Sequence, residues 1–557
     1  MKVKEYIARF LEAKEIDTVF LLQGGMITNL VDSIHEITSI LGVTVQHEQA
    51  AAMAVDAYGK VSHKPAVALA TSGPGATNLI TGIASCFFDS VPAIFITGQV
   101  NTTQLKRNPF ARQTGFQETD IINIAAPITK AVFSVWVAYQ IPDILEKAYA
   151  LSMQGRPGPV LIDIPIDIQM QEMNDLIIPI DDVVLSEENK KESDLVFFKK
   201  YYVDLQKSKR PLILVGGGVR SSSELFKEFL HRYQIPVVLS LLGLDVLPYT
   251  HPERVGFIGT YGNRWANTTL ADCDLLLVLG SRMDSRQTAS IKEFKQGKKI
   301  YHIDIDYNEL NNNITGCETS EADLSLFFED AIALNRIYKA PVKWKNIIQL
   351  ERDTNSDTSE LDCKGINPNV FIHELSKSSG LAKGFTTDVG ANQMWSAQSI
   401  ELSKNQFFLT SGGMGAMGYS LPAAIGACFA SGISPVVAIV GDGGMQINIQ
   451  ELQTIRRYNL PIKIVVLNNR SLGMIRQFQD AYFGGRHVST VDNPPSFVNI
   501  ASAYEIERYY IESEEDIQNG LERMWMFPNS PFLLEVFIDT ETNISPKVMF
   551  GDSLKSR

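Results

Sequence analysis

Val436-Val-Ala-Ile-Val-Gly441-Asp442-Gly443-Gly444 and, further on, Ile462-Lys-Ile-Val-Val-Leu467-Asn468-Asn469 are the segments from which the rest of the chain can be read. Each is a short apolar, largely β-branched run that stops at Gly or Asn, the pattern of a strand buried on both faces. Between Gly443 and Asn468 lie 24 residues, enough for one helical crossover, which the pattern places at about 448–458. Two parallel strands joined in this way end on the same edge of a sheet. Asp442 then offers a carboxylate oxygen and Asn469 an amide oxygen at that edge. Hard oxygen ligands suit Mg²⁺, which completes its shell with water and phosphate oxygens. Gly441 and Gly443 let the backbone approach a phosphate, and a helix starting after Gly444 would add N–H donors there. A bare Gly-Asp-Gly is only a tight turn; its position at a strand end and its spacing from Asn468-Asn469 give it chemical meaning.

The same texture of strand, Gly-rich turn and helix occurs three times. Residues 1–168 hold the strands Ala66–Ala70 and Val160–Ile164, with the loop Thr71-Ser-Gly-Pro-Gly-Ala-Thr-Asn78 and a helix from Leu79. Residues 190–340 hold Leu212–Val215, Leu275–Gly280 and Tyr301–Asp304, and residues 365–540 hold the opening pair. Residues 541–557 remain as a C-terminal arm. The polar stretches Asp181–Asp194 and Arg352–Lys364 read as linkers. Alternation of this kind predicts an α/β protein of three doubly wound parallel-sheet domains, with ligands beyond the carboxyl ends of the strands.

The bulk properties narrow the function. A chain of 557 residues exceeds one hydrophobic core, and a net charge of −13 gives no electrostatic footprint for nucleic acid. No apolar run reaches the length of a membrane span. The N-terminal stretch Met1–Ile16 reads as an amphipathic helix, not a secretory leader. Five cysteines are scattered without a CxxC pair, which points to a reduced, cytoplasmic protein.

Taken together, these motifs resemble the acetolactate synthase and pyruvate oxidase group of thiamine-diphosphate enzymes, over essentially the whole chain. The resemblance implies that Asp442, Asn469 and the backbone carbonyl of Ser471 bind the Mg²⁺ that anchors thiamine diphosphate, with Gly441 and Gly443 beside it. Glu48 lies in Val45-Gln-His-Glu-Gln-Ala-Ala-Ala-Met53. Alone, a Glu opening an apolar helix is a favourable N-terminal charge. The resemblance places it instead against the aminopyrimidine of the cofactor, where a carboxyl sharing a proton with the ring promotes cofactor activation. Met417, within Thr410-Ser-Gly-Gly-Met-Gly-Ala-Met-Gly418, reads alone as a core gap-filler; the resemblance makes it the wedge that bends the cofactor. Met474 matches a residue lining the pyrimidine and substrate region. Phe116 and Gln117 match residues that face the substrate, and Gly24-Gly25 a pair that lets substrate approach. The Thr71–Asn78 loop, which alone looks like a phosphate loop, matches one at a dimer interface. Family members draw the Glu48 and Asp442 positions from different subunits, so a homodimer is the minimum expected, a homotetramer is common, and a small regulatory subunit is possible.

In the middle segment, Gly216-Gly217-Gly218, Gly280-Ser-Arg282-Met-Asp284 with Arg286, and His302-Ile-Asp304-Ile-Asp306 resemble the FAD-binding domain of acetolactate synthases. Arg156, in Gly155-Arg-Pro-Gly-Pro159, matches a flavin-contacting position. FAD is therefore expected, without a net redox part. The departures bear on the substrate. Phe478 stands where these synthases carry Trp, Leu22-Gln23 where they carry Tyr-Pro, and Pro165-Ile166-Asp167 where they carry Pro-Lys-Asp. The expected activity is that of a carboligase, which decarboxylates pyruvate and transfers its two-carbon unit to a second carbonyl. That acceptor is a 2-oxo acid or, in a pocket widened at Phe478, a larger ketone such as a nucleotide-linked keto-sugar. A simple 2-oxo-acid decarboxylase or oxidase is the alternative. A non-catalytic scaffold is disfavoured because Glu48, Asp442 and Asn469 are all present. Ser545–Leu554 resembles an arm that covers the active site.

Overall fold

Each apolar run anticipated as a strand forms one, and all strands of the three main sheets pair in parallel. The computed structural model describes residues 1–108, 110–173, 195–491, 493–549 and 551–556; the linker expected at Asp181–Asp194 lies outside them. The first sheet runs Leu41–Thr44, Thr18–Leu21, Ala66–Ala70, Ala93–Gln99, Pro159–Pro165, Ala131–Ser134. The third runs Phe407–Leu409, Gly384–Thr387, Val436–Gly441, Ile462–Asn468, Phe532–Phe537, Glu507–Ile511. Numbered along the chain, both have the spatial order 2-1-3-4-6-5, one wiring used twice. The middle sheet runs Arg254–Phe257, Val237–Leu239, Pro211–Val215, Leu275–Leu279, Lys299–Asp304, Glu318–Glu321. Its order among these six is 3-2-1-4-5-6, that of dinucleotide-binding sheets. The chain is thus an α/β protein of three doubly wound parallel-sheet domains. Central strands are buried throughout, which is why they read as continuous apolar runs rather than alternating ones.

The first and third domains meet along the helices Glu48–Ser62 and Ser420–Ala430. Small residues permit the approach: a side chain at Gly426 would begin 2.0 Å from the carbonyl oxygen of Ala54. Charge is buried in the same interface. Lys60 pairs with Asp56 at 2.7 Å and Asp89 at 2.8 Å and donates to the Thr410 carbonyl at 3.0 Å. Asp89 in turn accepts from the backbone N–H groups of Gly412 and Gly413. Removing one partner of such a cluster leaves an uncompensated buried charge, at a cost of about 3–5 kcal/mol.

Glu451 makes a second bridge. Its buried carboxylate accepts from the backbone N–H of Gln46 at 3.0 Å and from Thr454 Oγ1 at 2.7 Å. Burial pushes its pKa from 4.5 to about 7. The folded protein then holds more protons than the unfolded chain between pH 4.5 and about 7, so this group's contribution to stability falls as pH rises through that window. The fall amounts to roughly 3 kcal/mol at most. Glu451→Gln is expected to flatten the corresponding slope in a plot of melting temperature against pH; an unchanged slope would show that Glu451 is not the titrating group.

Candidate active site

The strands Val436–Gly441 and Ile462–Asn468 pair in register to their last residues, Val440 opposite Val466 and Gly441 opposite Leu467. Their ends are therefore level, and the residues just beyond them converge. Asp442 Oδ2 accepts from the backbone N–H of Ser471 at 3.1 Å, and Asn469 Oδ1 lies 3.3 Å from the same nitrogen. Asp442 Oδ1 accepts from Gly443 N–H at 2.9 Å. Ser471 is itself fixed: its Oγ donates to the Thr490 carbonyl and its own carbonyl accepts from Gly473 N–H, each at 2.8 Å. Asp442, Asn469 and Ser471 are all buried. A carboxylate and an amide oxygen held together out of solvent form a hard donor set, which fits Mg²⁺.

The crossover differs from expectation. Its helix starts at Asp442, not after Gly444 or near 448, and runs only to Ile447; a 3-10 turn Ile449–Glu451 and a helix Leu452–Arg457 come next. Asn448 makes the break. Its Nδ2 donates to the Gly418 carbonyl at 2.7 Å and approaches Gln49 Oε1 at 3.5 Å, so this side chain ties the helix end to two other segments. Met417 and Leu472 close over Gly443: a side chain there would begin 2.6 Å from Leu472 Cδ2 and 3.4 Å from Met417 Cε. Met474 is partly buried against the core at the start of the helix Gly473–Phe483.

Strands Gly384–Thr387 and Val436–Gly441 are neighbours whose connections leave in opposite directions, and ligands bind at such a switch point. Two residues there carried no pattern in the sequence. Asp388, pushed up to about 6 by burial, accepts from the N–H groups of Val389, Gly418 and Ser420, each at 2.9 Å, and so positions the Met417 loop. Both polar side-chain atoms of Asn392 are buried without a partner among the described residues. Its Nδ2 lies 3.6 Å from where a side chain at Gly441 would begin. An orphaned amide beside the Gly441-Asp442 turn is a fitting donor for a diphosphate oxygen.

Glu48 opens the helix Glu48–Ser62 and is buried. Its Oε2 accepts from Asn78 Nδ2 at 3.0 Å, and its Oε1 lies 3.2 Å from where a side chain at Gly75 would begin. The Thr71–Asn78 segment is thus part of the Glu48 environment within one chain. It is also not all loop: Pro74–Asn78 is helical, and a second helix starts at Ile80 rather than Leu79. Gly24 lies against Thr71, while Gly25 has open space where a side chain would be. Phe116 is 80% exposed, and Gln117, at φ +67°, packs on Gly73.

Comparison with known sequences places this geometry. Three descriptions match along the chain: thiamine pyrophosphate enzyme, N-terminal TPP binding domain, over residues 1–124; central domain, over 201–329; and C-terminal TPP binding domain, over 388–536. The chain belongs to the thiamine pyrophosphate enzyme family. It is 34% identical to the acetolactate synthase large subunit of Lactococcus lactis subsp. lactis, covering 98% of this chain and 94% of that protein. It is 34% identical to the acetolactate synthase isozyme 2 large subunit of Escherichia coli, covering 99% and 98%. It is 35% identical to a probable acetolactate synthase large subunit of Methanocaldococcus jannaschii, covering 97% and 92%. This thiamine pyrophosphate enzyme is therefore acetolactate-synthase-like and depends on thiamine diphosphate.

The central domain of this thiamine pyrophosphate enzyme holds a cavity of about 460 Å³, in the range of small-molecule sites. It opens at the switch point of its sheet, where Gly218 packs against Gly280 and Gly217 against Leu242, and reaches the first domain at Arg156 and the third at Gly412. Arg282, Asp284, Arg286 and Asp304 line it. Several of these residues also have structural tasks. A side chain at Gly216 would begin 2.0 Å from the Gly280 carbonyl oxygen, so a glycine is needed there for backbone packing alone. Asp284 caps the helix Ser285–Thr288. Arg156 pairs with Glu309 at 2.7 Å and Asp306 at 3.0 Å. Asp304 is pushed up to about 6 by burial.

Asp442→Ala removes one of the two converging oxygens. It is expected to weaken Mg²⁺-dependent binding of thiamine diphosphate by more than about tenfold in calorimetric titration; unchanged affinity would contradict the placement.

Proposed function

We propose that this enzyme is a carboligase: it releases CO₂ from pyruvate and passes the remaining two-carbon unit to a second carbonyl compound. The observation that carries the reading is the convergence of Asp442, Asn469 and Ser471, in a chain matched along nearly its whole length by acetolactate synthase large subunits. In this reading the Asp442 and Asn469 oxygens and the Ser471 carbonyl hold Mg²⁺, with Asn392 and Gly441 toward the diphosphate. Thiamine diphosphate, when bound, supplies the electron sink for the carbon that loses CO₂. Glu48 holds a proton at the pyrimidine end, oriented by Asn78. Met417, over Gly443, sets the bend of the cofactor. Gln117, Phe116, Met474 and Phe478 line the substrate region, and the C-terminal arm excludes water from it.

The domain limits proposed are 1–168, 190–340 and 365–540, with the arm at 541–557. FAD is proposed for the central cavity, supported by the 3-2-1-4-5-6 sheet and the glycines at its switch point. A homodimer or homotetramer is proposed, supported by large apolar side chains left exposed in the single chain: Phe88, Phe116, Met414 and Ile447. The name "large subunit" of the relatives suggests a smaller regulatory partner for this chain as well. A cytoplasmic setting agrees with five unpaired cysteines; no helix among the described residues is long and apolar enough to cross a membrane.

Incubation with pyruvate, followed by acid, tests the reaction. A carboligase that accepts a second pyruvate yields acetoin from acetolactate, and Glu48→Gln should lower that yield at least about a hundredfold while leaving the fold intact. Release of acetaldehyde alone by the wild type, or near-normal turnover by the variant, would overturn the respective assignment. Purified protein is expected to show the visible absorbance of bound flavin; a colourless, fully active preparation would rule FAD out of the central cavity.

A further inference from the structure

The C-terminal arm crosses the helix Gly473–Phe483 and ends on the central domain. It is tied along its length. Arg476 Nη2 donates to Asn543 Oδ1 at 3.0 Å, and Gln477 exchanges hydrogen bonds with the backbone of Ile544 at 2.8 and 3.2 Å. Gln398 Nε2 donates to the Ser545 carbonyl at 3.1 Å, and Val548 N–H to the Thr260 carbonyl at 2.8 Å. Leu554 is buried among apolar residues of the central domain. Lys547 is therefore fixed from both sides.

The Lys547 ammonium is buried, and among the described residues it has no hydrogen-bond or ion-pair partner. It lies 5.9 Å from the ring centre of Phe478 and 5.7 Å from that of Tyr482. Aromatic faces attract a cation, but they do not satisfy three N–H donors. Asp480 is the carboxylate that acts on Lys547, yet its Oδ1 is 2.6 Å from His487 Nε2 and its Oδ2 3.7 Å from Arg476. Burial lowers the Lys547 pKa. An ammonium shielded from water and paired directly with no carboxylate among the described residues is unfavourable for folding, and such a defect is expected where a ligand completes it.

We infer that Lys547, beside Phe478 and Tyr482, receives an anionic group, a carboxylate or a phosphate, of the acceptor substrate. The inference rests on the carboligase reading above. It makes Lys547 a specificity-determining residue carried on the arm.

The holoenzyme and its Lys547→Met and Lys547→Arg variants are compared with pyruvate as donor. The acceptors are 2-oxobutyrate, a triose phosphate and benzaldehyde, and products are quantified by mass spectrometry. Lys547→Met is expected to lower the ratio of anionic-acceptor product to benzaldehyde product by at least about tenfold, with a melting temperature equal to or above the wild type. Lys547→Arg should retain most of the ratio. A loss confined to 2-oxobutyrate assigns a carboxylate, and one confined to the triose phosphate assigns a phosphate. An unchanged ratio overturns the inference, and so does an unchanged ratio with a lowered melting temperature, which would make Lys547 a structural cation. If the wild type releases CO₂ but ligates no acceptor, the carboligase reading fails and this inference with it; if the wild type ligates and the Lys547→Met ratio is unaltered, only the inference fails.

Discussion

Two adjacent parallel strands that end level with each other govern this site. Because Val436–Gly441 and Ile462–Asn468 stay in register to their last residues, Asp442 and Asn469 emerge side by side, and one backbone N–H, that of Ser471, lies within 3.3 Å of an oxygen from each. A slip of one residue in that pairing would turn every side chain of a strand to the opposite face and separate the oxygens. The apolar packing on both faces of the third sheet therefore acts as the frame of a polar constellation.

The first domain repeats the wiring of the third and presents Glu48 from a helix that packs on the third domain's Ser420–Ala430 helix. Rigidity at this contact comes from unlike sources. Ala54 and Gly426 allow the backbones to touch, Lys60 pairs with both Asp56 and Asp89, and Glu451 reaches across to Gln46. These interactions are costly to break singly, and they lie outside the cofactor-anchoring residues they help to position. The central domain shares in the same frame, since the cavity at its switch point is walled in part by Lys60 and Asp89.

The sheets were legible in the sequence because buried parallel strands are short unbroken apolar runs, and the Gly-Asp-Gly turn and Asn468-Asn469 stood at their ends. Helix limits were less legible. The crossover was expected near 448 but starts at Asp442, since the break at Asn448 depends on a bond to Gly418, thirty positions away in sequence. Asp388 and Asn392 were missed for the same reason: each is a lone polar residue whose meaning comes only from what the fold sets beside it; Asn78 stood in the Thr71–Asn78 motif, but its bond to Glu48 had no local signal. Arg156 lines the expected cavity, but its pairing with Asp306 and Glu309 joins residues 150 and 153 positions apart and has no local signal. Lys547 is a further case, an ordinary lysine in sequence whose ammonium the fold buries without a hydrogen-bond partner among the described residues.

Glu48 and Asp442 stand on different domains, and the proposed dimer would bring the Glu48 of one copy to the Asp442 of the other. Co-expression of Glu48→Gln with Asp442→Ala tests this most directly, with mixed assemblies isolated by differential tags and their turnover of pyruvate compared with that of each variant alone. Each variant alone is expected to turn over pyruvate far more slowly than the wild type when thiamine diphosphate is not saturating, and the mixed assembly to regain a clear fraction of wild-type turnover, because one of its sites then joins an intact Glu48 to an intact Asp442. Mixed assemblies as slow as the separate variants would contradict a site shared between two chains.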